Sequence, residues 1–386
     1  MDARIVGWGH TKFGFHKEET LESLILQAAR EAIDDAGLTP ADIDAIWLGH
    51  FNSGMVPDAF ASSLVLNLDE GLRFKPATRV ENACASGSAA IFGARNAVRA
   101  GAARVVLVIG AEKMTELDTP GVTRALGGAA YQAEEADLSF PQVFGRYAQK
   151  YFQEYGDQSE ALARIAAKNH RNAMGNPLAQ MQKDVGFAFC NTVSEKNPLI
   201  APPLRLTDCS LISDGAAALV MVAEDMESDF GRAVGFRAAA QVNDLLAMSR
   251  RDITEITGAK VAFGEAFEAA GVGVDDIDFA EVHDCFTIAE LLIYEALGLA
   301  EKGKGAACIN DGMVLADGKL PVNLSGGLKA KGHPVGATGV SMHAIAARQL
   351  VDEAGGMQKA GAELGLVFNM GGSGVANYCT ILERTR

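Results

Sequence analysis

The sequence predicts an α/β protein in which strands covered on both faces alternate with amphipathic helices. RVVLVIG, ending at Gly110, and LGLVF, ending at Phe368, are apolar along their whole length, as expected of strands buried on both faces. Between such strands lie helical stripes; Leu21, Leu24, Ile25, Ala28, Ala29, Ala32 and Ile33 recur at the 3.6-residue period. The order also repeats. GLTPADIDAIWLGH, early in the chain, and GVGVDDIDFAEVHD, late in it, each place a helix stop, an Asp-Ile-Asp turn and a strand in the same sequence. A duplication would produce this echo, and so would the order common to many α/β units.

In chain order, ARIVGWG reads as the first strand. Thr20 precedes the striped helix, and Gly37 supplies its stop. AIWLG, around Trp47, is a short apolar strand. After Cys84 comes a helix of small residues, ASGSAAIFGARNAVRAG, closed by Gly101. From about residue 115 to 206 glycine, glutamine, asparagine and proline rise. Helices such as PQVFGRYAQKYFQEYG alternate there with irregular stretches, MGNPLAQMQKDVGF and EKNPLIAPPLRLTD. Long excursions of this kind are uncommon and often functional. The strand DGAAALVMV brings the chain back. A helix is expected from Asp252 to Gly271, then the strand DFAEV, a helix from near Thr338, and LGLVF.

With 386 residues, 48% of them hydrophobic, the chain can build one large core or two packed together. The formal net charge of −15 repels a nucleic-acid backbone and makes DNA or RNA an unsuitable main ligand. The six cysteines, Cys84, Cys190, Cys209, Cys285, Cys308 and Cys379, include no C-x-x-C pair, so neither a zinc ribbon nor a disulfide framework is indicated. MDARIVGWGH lacks the apolar run of a signal peptide, and no stretch is apolar for the ~18 residues of a membrane span. A reducing cytoplasm is the expected compartment.

Four stretches carry chemistry. In VENACASGSAA, Cys84 falls at a helix N-terminus, where unpaired N–H groups and the helix dipole favour a thiolate. A buried structural cysteine fits that position as well. NLSGGLKAKGHPVGATGVS places His333 between Gly332 and Pro334, on a turn rigid enough to hold an imidazole as the base for a thiol. Its glycines, Gly326, Gly327, Gly332, Gly336 and Gly339, suggest a loop that approaches a ligand. His283-Asp284-Cys285-Phe286 follows the strand DFAEV, and the carboxyl ends of parallel strands face the active-site crevice. There His283 can donate a hydrogen bond to a thioester oxygen and Cys285 can move protons. No metal is expected: there is no second ligand cluster, and neighbouring residues at a strand end point in opposite directions. Asn369-Met370-Gly371-Gly372-Ser373-Gly374 offers backbone N–H groups, that of Gly371 among them, for half of an oxyanion hole.

Together these stretches, in this order, resemble the thiolase superfamily, and TDCSLISDGAAALVM resembles the segment closing that family's inserted loop domain. The resemblance runs essentially end to end. It implies two similar βαβαβαββ halves, with two stacked five-stranded mixed sheets around shared helices. The halves would comprise residues 1–114 with 207–228, and residues 229–386; residues 115–206 would form the inserted loop domain. Coenzyme A is implied as co-substrate, held mostly on that domain and near Ser325 and Gly326, with no tightly bound cofactor. A homodimer or tetramer is also implied. Two-cysteine thiolases carry Asn-Glu-Ala-Phe where this chain has His283 to Phe286, and a second cysteine where it has Asn369. Cys285 in His-Asp-Cys-Phe resembles the sterol-carrier-protein-linked and archaeal-type branch, in which that cysteine takes over proton transfer.

The resemblance therefore implies acyl-CoA chemistry. Cys84 is the nucleophile, His333 its base, Cys285 the acid/base, and His283 and Gly371 oxyanion donors. A β-ketoacyl synthase would use a second histidine or an asparagine and no acid/base cysteine. An aldol-cleaving relative need not use Cys84. Some archaeal-type relatives work with a small OB-fold, zinc-ribbon protein, which makes a partner-dependent subunit the alternative from another class.

Overall fold

The computed structural model describes residues 2–386. Its strands are β1 (Ala3–His10), β2 (Ala45–Gly49), β3 (Ala77–Val80), β4 (Val105–Glu112), β5 (Leu199–Ala201), β6 (Leu204–Arg205), β7 (Gly215–Ala223), β8 (Val234–Asn243), β9 (Phe279–Val282), β10 (Leu364–Gly371) and β11 (Ala376–Arg384). Nine of them form one sheet in the order β3-β2-β4-β7-β1-β8-β11-β10-β9, and β5 and β6 form a small hairpin.

That order establishes the duplication. Outward from the middle, the first half runs β1, β7, β4, β2, β3 and the second β8, β11, β10, β9. β2 lies parallel to β4, as β9 does to β10; β4 lies antiparallel to β7, as β10 does to β11. The counterpart of β3 has shrunk to one parallel bridge, Ala280 to Val322. The two echoed segments occupy equivalent places, one leading into β2 and the other into β9.

The expected pair of five-stranded sheets thus appears as five strands and four. They are joined where β1 meets β8 at Arg4–Gly235 and Ile5–Val234. The layering holds. Helices Ser86–Arg99 and Thr338–Leu350 pack between the half-sheets; the second touches β4 and β7 on one side and β10 and β11 on the other. Phe92 of the first meets Tyr378 of β11 edge-on, with ring centroids 5.0 Å apart.

Local chemistry explains the outer helices. Thr20 and Ser23 form a reciprocal cap that starts helix Leu21–Asp35, and the residues it buries are the predicted stripe. Its counterpart, Thr257–Ala270, starts later than the expected Asp252. The Asp252 carboxylate accepts the Thr254 N–H at 2.9 Å and its hydroxyl at 2.6 Å, a local turn that competes with helix. Gly271, with φ +68°, ends it. Inside, Phe263 of this helix packs on Phe368 of β10 at 4.7 Å, and truncating either ring to alanine costs about 3–5 kcal/mol.

Between β4 and β7 the chain makes the expected excursion, built around helices Phe140–Tyr155 and Ser159–Asn172. Part of EKNPLIAPPLRLTD, read as irregular, pairs as the β5–β6 hairpin. Phe144 stacks on Phe286 with centroids 4.6 Å apart, laying the excursion over the His-Asp-Cys-Phe run. Among the described residues no helix is long and apolar enough to cross a membrane.

Candidate active site

The carboxyl ends of β3, β4, β9 and β10 converge and deliver Cys84, Glu112, His283 to Cys285, and Asn369 to Gly371. Cys84 sits on a tight corner. Ala83 has φ +49°, the Ala85 N–H donates to the Asn82 carbonyl at 3.0 Å, and helix Ser86–Arg99 follows at once. The sulfur lies in an apolar pocket of Phe51, Met55, Met114, Val122 and Val335, and the residue is 8% exposed. One ring nitrogen each of His283 and His333 and the Cys84 sulfur lie within 4.8 Å of one another. Such donors also suit a borderline-soft metal ion, although the His283–Cys285 run supplies only His283 to the set.

The hydrogen-bond network fixes the tautomer of each histidine. Thr338 Oγ1 donates to the Pro334 carbonyl at 3.0 Å, so toward His333 Nδ1, 2.7 Å away, it can only accept. His333 therefore carries its proton on Nδ1 and keeps a lone pair on Nε2, as a base requires. Its backbone N–H donates to Ser213 Oγ at 2.9 Å. For His283 the reporter is Asn369. Ser88 Oγ donates to Asn369 Oδ1 at 2.8 Å, so the amide NH2 donates to His283 Nδ1 at 2.9 Å and to the Cys84 carbonyl at 3.2 Å. His283 thus carries its proton on Nε2, which is buried and has no partner among the described residues. It is a free donor of the kind an oxyanion needs.

Cys285 is 5% exposed, and its carbonyl accepts the Ser210 N–H at 2.9 Å. Burial holds its thiol well above the ordinary value, with Cys84 and Asp284 adding to the rise. Asp284 points the other way and ties the parts together. It accepts N–H bonds from Leu328 at 2.6 Å and Lys329 at 3.2 Å, just ahead of His333, and the Asn169 amide of the excursion at 2.7 Å. Burial, then the neighbouring Glu290, push its carboxyl up to about 7. Glu112 does similar work on the other side. It accepts the N–H groups of Phe51, Asn52 and Gly336 at 2.9–3.0 Å.

Three expectations change. The thiol is not pre-ionised: burial pushes Cys84 up to about 12 against the pull of the Gly372 N–H, while burial and Lys331 hold His333 down at about 3. Of the turn's amides, that of Gly372, next to the expected oxyanion donor Gly371, is the one that lowers the Cys84 pKa. Close approaches within the protein already account for the glycines of the His333 loop. A Cβ on Gly339 would come within 2.4 Å of the Ser88 nitrogen, and one on Gly327 within 2.3 Å of the Asp284 carboxylate. Ser325, expected near coenzyme A, is fully buried, its N–H donating to Glu281 and its carbonyl accepting from Asn176; Gly326 packs on Ala173. Sequence reasoning does not single out Asn369, Thr338, Ser213, Ser88, Glu112 or Asn169 for these contacts. Thr338 lies within the quoted GATG, and Asn369 stands out only as the residue in place of a cysteine.

Comparison with known proteins agrees with this geometry. "Thiolase, N-terminal domain" matches residues 3–225 and "Thiolase C-terminal domain-like" matches residues 239–384. The acetyl-CoA acetyltransferase of Methanothermobacter thermautotrophicus is 41% identical over 390 residues, covering 99% of this chain and all of that one. Human sterol carrier protein 2 is 32% identical, covering 95% of this chain and 69% of that protein. Among solved structures, the Ltp2-ChsH2(DUF35) aldolase superposes with a TM-score of 0.84 at 26% identity, covering all of this chain and 98% of that one. With both halves matched and the cysteine and two histidines of the expected motifs in one pocket, the chain belongs to the thiolase family.

Proposed function

We propose that this thiolase makes and breaks the carbon–carbon bond of a 3-ketoacyl-CoA through a thioester on Cys84. The observation that carries the reading is the Cys84, His283 and His333 cluster, with a free lone pair on one imidazole and a free N–H on the other. The enzyme is an acyltransferase, with coenzyme A as co-substrate. In cleavage, His333 Nε2 takes the Cys84 proton as the sulfur attacks the 3-keto carbon. The negative charge on that oxygen is met by backbone N–H groups of Cys84 and the Gly371–Gly372 turn. The bond between the α and keto carbons breaks, and Cys285 protonates the departing enolate, whose oxygen His283 Nε2–H has stabilised. His333 then passes its proton to the Cys285 thiolate; neutral again, it deprotonates a second coenzyme A thiol, which takes the acyl group, and returns that proton to the Cys84 sulfur as it leaves. Condensation runs the same steps backwards, with Cys285 removing the α-proton of acetyl-CoA.

The excursion, residues 115–206, is the proposed seat of coenzyme A, because its Phe144 stacks over Phe286 beside Cys285. A homodimer is supported by β3, which leaves one edge of the sheet unpaired, and by Phe74 beside it, 86% exposed at φ +69°. The likeness to the Ltp2-ChsH2(DUF35) aldolase supports a partner protein, for which the small OB-fold, zinc-ribbon protein of the sequence resemblance is the candidate. It also favours a second reading, aldol cleavage, in which Cys84 carries no acyl group. The six free cysteines suit a cytoplasmic setting.

Mass spectrometry after mixing with acetyl-CoA tests the main reading. An acetyl adduct on Cys84 is expected. An adduct elsewhere, or none with the purified chain and with its co-purified partner, rejects it, and aldol cleavage by a Cys84→Ala variant would establish the second.

A further inference from the structure

The turn after β10 is built from the least rigid residues available. Gly372 has φ +65° and Gly374 φ +79°, and between them stands Ser373. Yet this turn lies against the Cys84 corner, where a Cβ on Gly371 would come within 2.3 Å of the Asn82 carbonyl oxygen and 3.3 Å of Ala85 Cβ, and from there it must aim the Gly372 N–H, which lowers the Cys84 pKa. Its own sequence cannot hold that aim, because glycine gives up the most conformational freedom when fixed. The support comes from two distant elements. Arg251 Nη1 donates to the Ser373 carbonyl and Nη2 to Ser373 Oγ, both at 2.7 Å. Tyr147, on helix Phe140–Tyr155, donates its hydroxyl to the same carbonyl at 2.9 Å.

Ser373 and Tyr147 are 7% and 1% exposed, so water does not substitute easily for these bonds. Among the described residues Arg251 pairs with no carboxylate; Ser373 supplies both of its hydrogen-bond acceptors. A half-buried guanidinium committed to a single serine is not a surface ion pair. Its fork matches two oxygens of one residue, a geometry that lysine's single ammonium cannot copy. The segment bearing Arg251 is tied in turn to the excursion, where Glu135 accepts the Met248 N–H at 2.8 Å.

We propose that Arg251 and Tyr147 are positioning residues for acyl transfer: by holding Ser373 they keep the Gly372 N–H aimed at the oxygen that becomes negative when Cys84 attacks. This rests on Cys84 as the acyl carrier and adds a claim that reading does not contain, that the rate of acylation depends on side chains that touch neither Cys84 nor the thioester.

The test is the rate of Cys84 acetylation at saturating acetyl-CoA, by rapid quench and mass spectrometry, with KM and the thermal midpoint alongside. Losing an oxyanion donor outright costs about 10²–10³ in rate, and a misaimed donor loses part of that. Arg251→Met is expected to slow acetylation about 10–100-fold with KM little changed, and Arg251→Lys to recover part of the loss. Tyr147→Phe, which removes one hydroxyl, is expected to slow it about 3–10-fold. In a Ser373→Ala background Arg251→Met should lose less, because one of its two bonds is already gone. Folded variants that acetylate at the wild-type rate, or that lose only through KM, overturn the proposal. Should Arg251→Met fail to fold, Tyr147→Phe decides alone. A wild-type enzyme that forms no adduct on Cys84 overturns the parent reading first, and is told apart by that.

Discussion

Thr338→Val is the sharpest perturbation of the base. Valine keeps the shape of threonine and removes only the hydroxyl that accepts the His333 Nδ1 proton at 2.7 Å. The fold should survive. The Pro334 carbonyl, which also loses the Thr338 hydroxyl, still accepts the N–H groups of Ala337 at 2.9 Å and of residue 338 at 3.1 Å. What suffers is the imidazole. Thr338 is fully buried and His333 is 6% exposed, so an Nδ1–H left facing a methyl group has no ready substitute. An unsatisfied buried donor costs about 1–3 kcal/mol. The ring escapes that cost by moving its proton to Nε2, which is the tautomer that cannot accept the thiol proton. Converted at ~1.4 kcal/mol per factor of ten, acetylation of Cys84 should slow about 5–150-fold, and Thr338→Ser should restore it. The assay is single-turnover acetylation followed by mass spectrometry. A folded Thr338→Val enzyme acetylating within about twofold of wild type would refute the tautomer assignment, since so small a loss lies below the least that an unsatisfied buried donor costs.

Cys285→Ala should still acetylate Cys84 but form no carbon–carbon bond; normal turnover would remove Cys285 from the proton path. Asp284→Asn sets an NH2 among the N–H donors of Leu328, Lys329 and Asn169, and should lower the unfolding free energy by about 1–3 kcal/mol, read from urea midpoints. Burial holds His10 and His333 at about 3 and His170 and His343 at about 4, all below 6.5. Their folded pKa values are depressed, so stability is present above pH 6.5 and is lost as pH falls through the window below it. From pH 7 to 5 each costs about 2 kcal/mol, offset in part by Asp284, whose raised pKa acts in the opposite sense. A urea midpoint as high at pH 5 as at pH 7 would contradict this. Acetylation should likewise show no acid limb near pH 6.5 arising from His333, and a limb at that pH in the wild-type enzyme would place the base at an ordinary pKa.

Much of the fold is legible because the strands that make the sheet are apolar enough to declare two-sided burial. β4 is buried at every residue, and β10 at all but Leu364. Legibility fails where short-range polar bonds override the pattern. Asp252 turns back on Thr254, so five residues that look like the front of a helix lie outside it. It fails again where an element is too short to leave a period: β5 and β6 hold three residues and two, and the fifth strand of the second half survives only at Val322. The joint between β1 and β8 rests on two residue pairs, and a repeat in sequence says nothing of how two copies meet.

In the site, residue types are legible and the balance of forces is not. Cys84 at a helix start, His333 on a stiff turn and His283 with Cys285 at a strand end can all be found from spacing, and the structure brings Cys84, His283 and His333 within reach of one another. The ionisation state cannot be found that way, because two opposed effects of different size act on the same sulfur. A helix N-terminus is worth about 0.3–1 kcal/mol to an anion, under one pKa unit. Burial of an ionisable group shifts it by as much as 3–5 units. Helix position is written in the sequence around residue 84, whereas burial comes from Phe51, Met55, Met114, Val122 and Val335, which no local motif brings together. Burial wins, and Cys84 waits as a thiol beside a neutral imidazole. A thiolate formed ahead of substrate would be the costly state, so in the proposed mechanism the proton leaves Cys84 as the sulfur attacks, when the backbone N–H groups of Cys84 and the Gly371–Gly372 turn have a developing negative oxygen to meet.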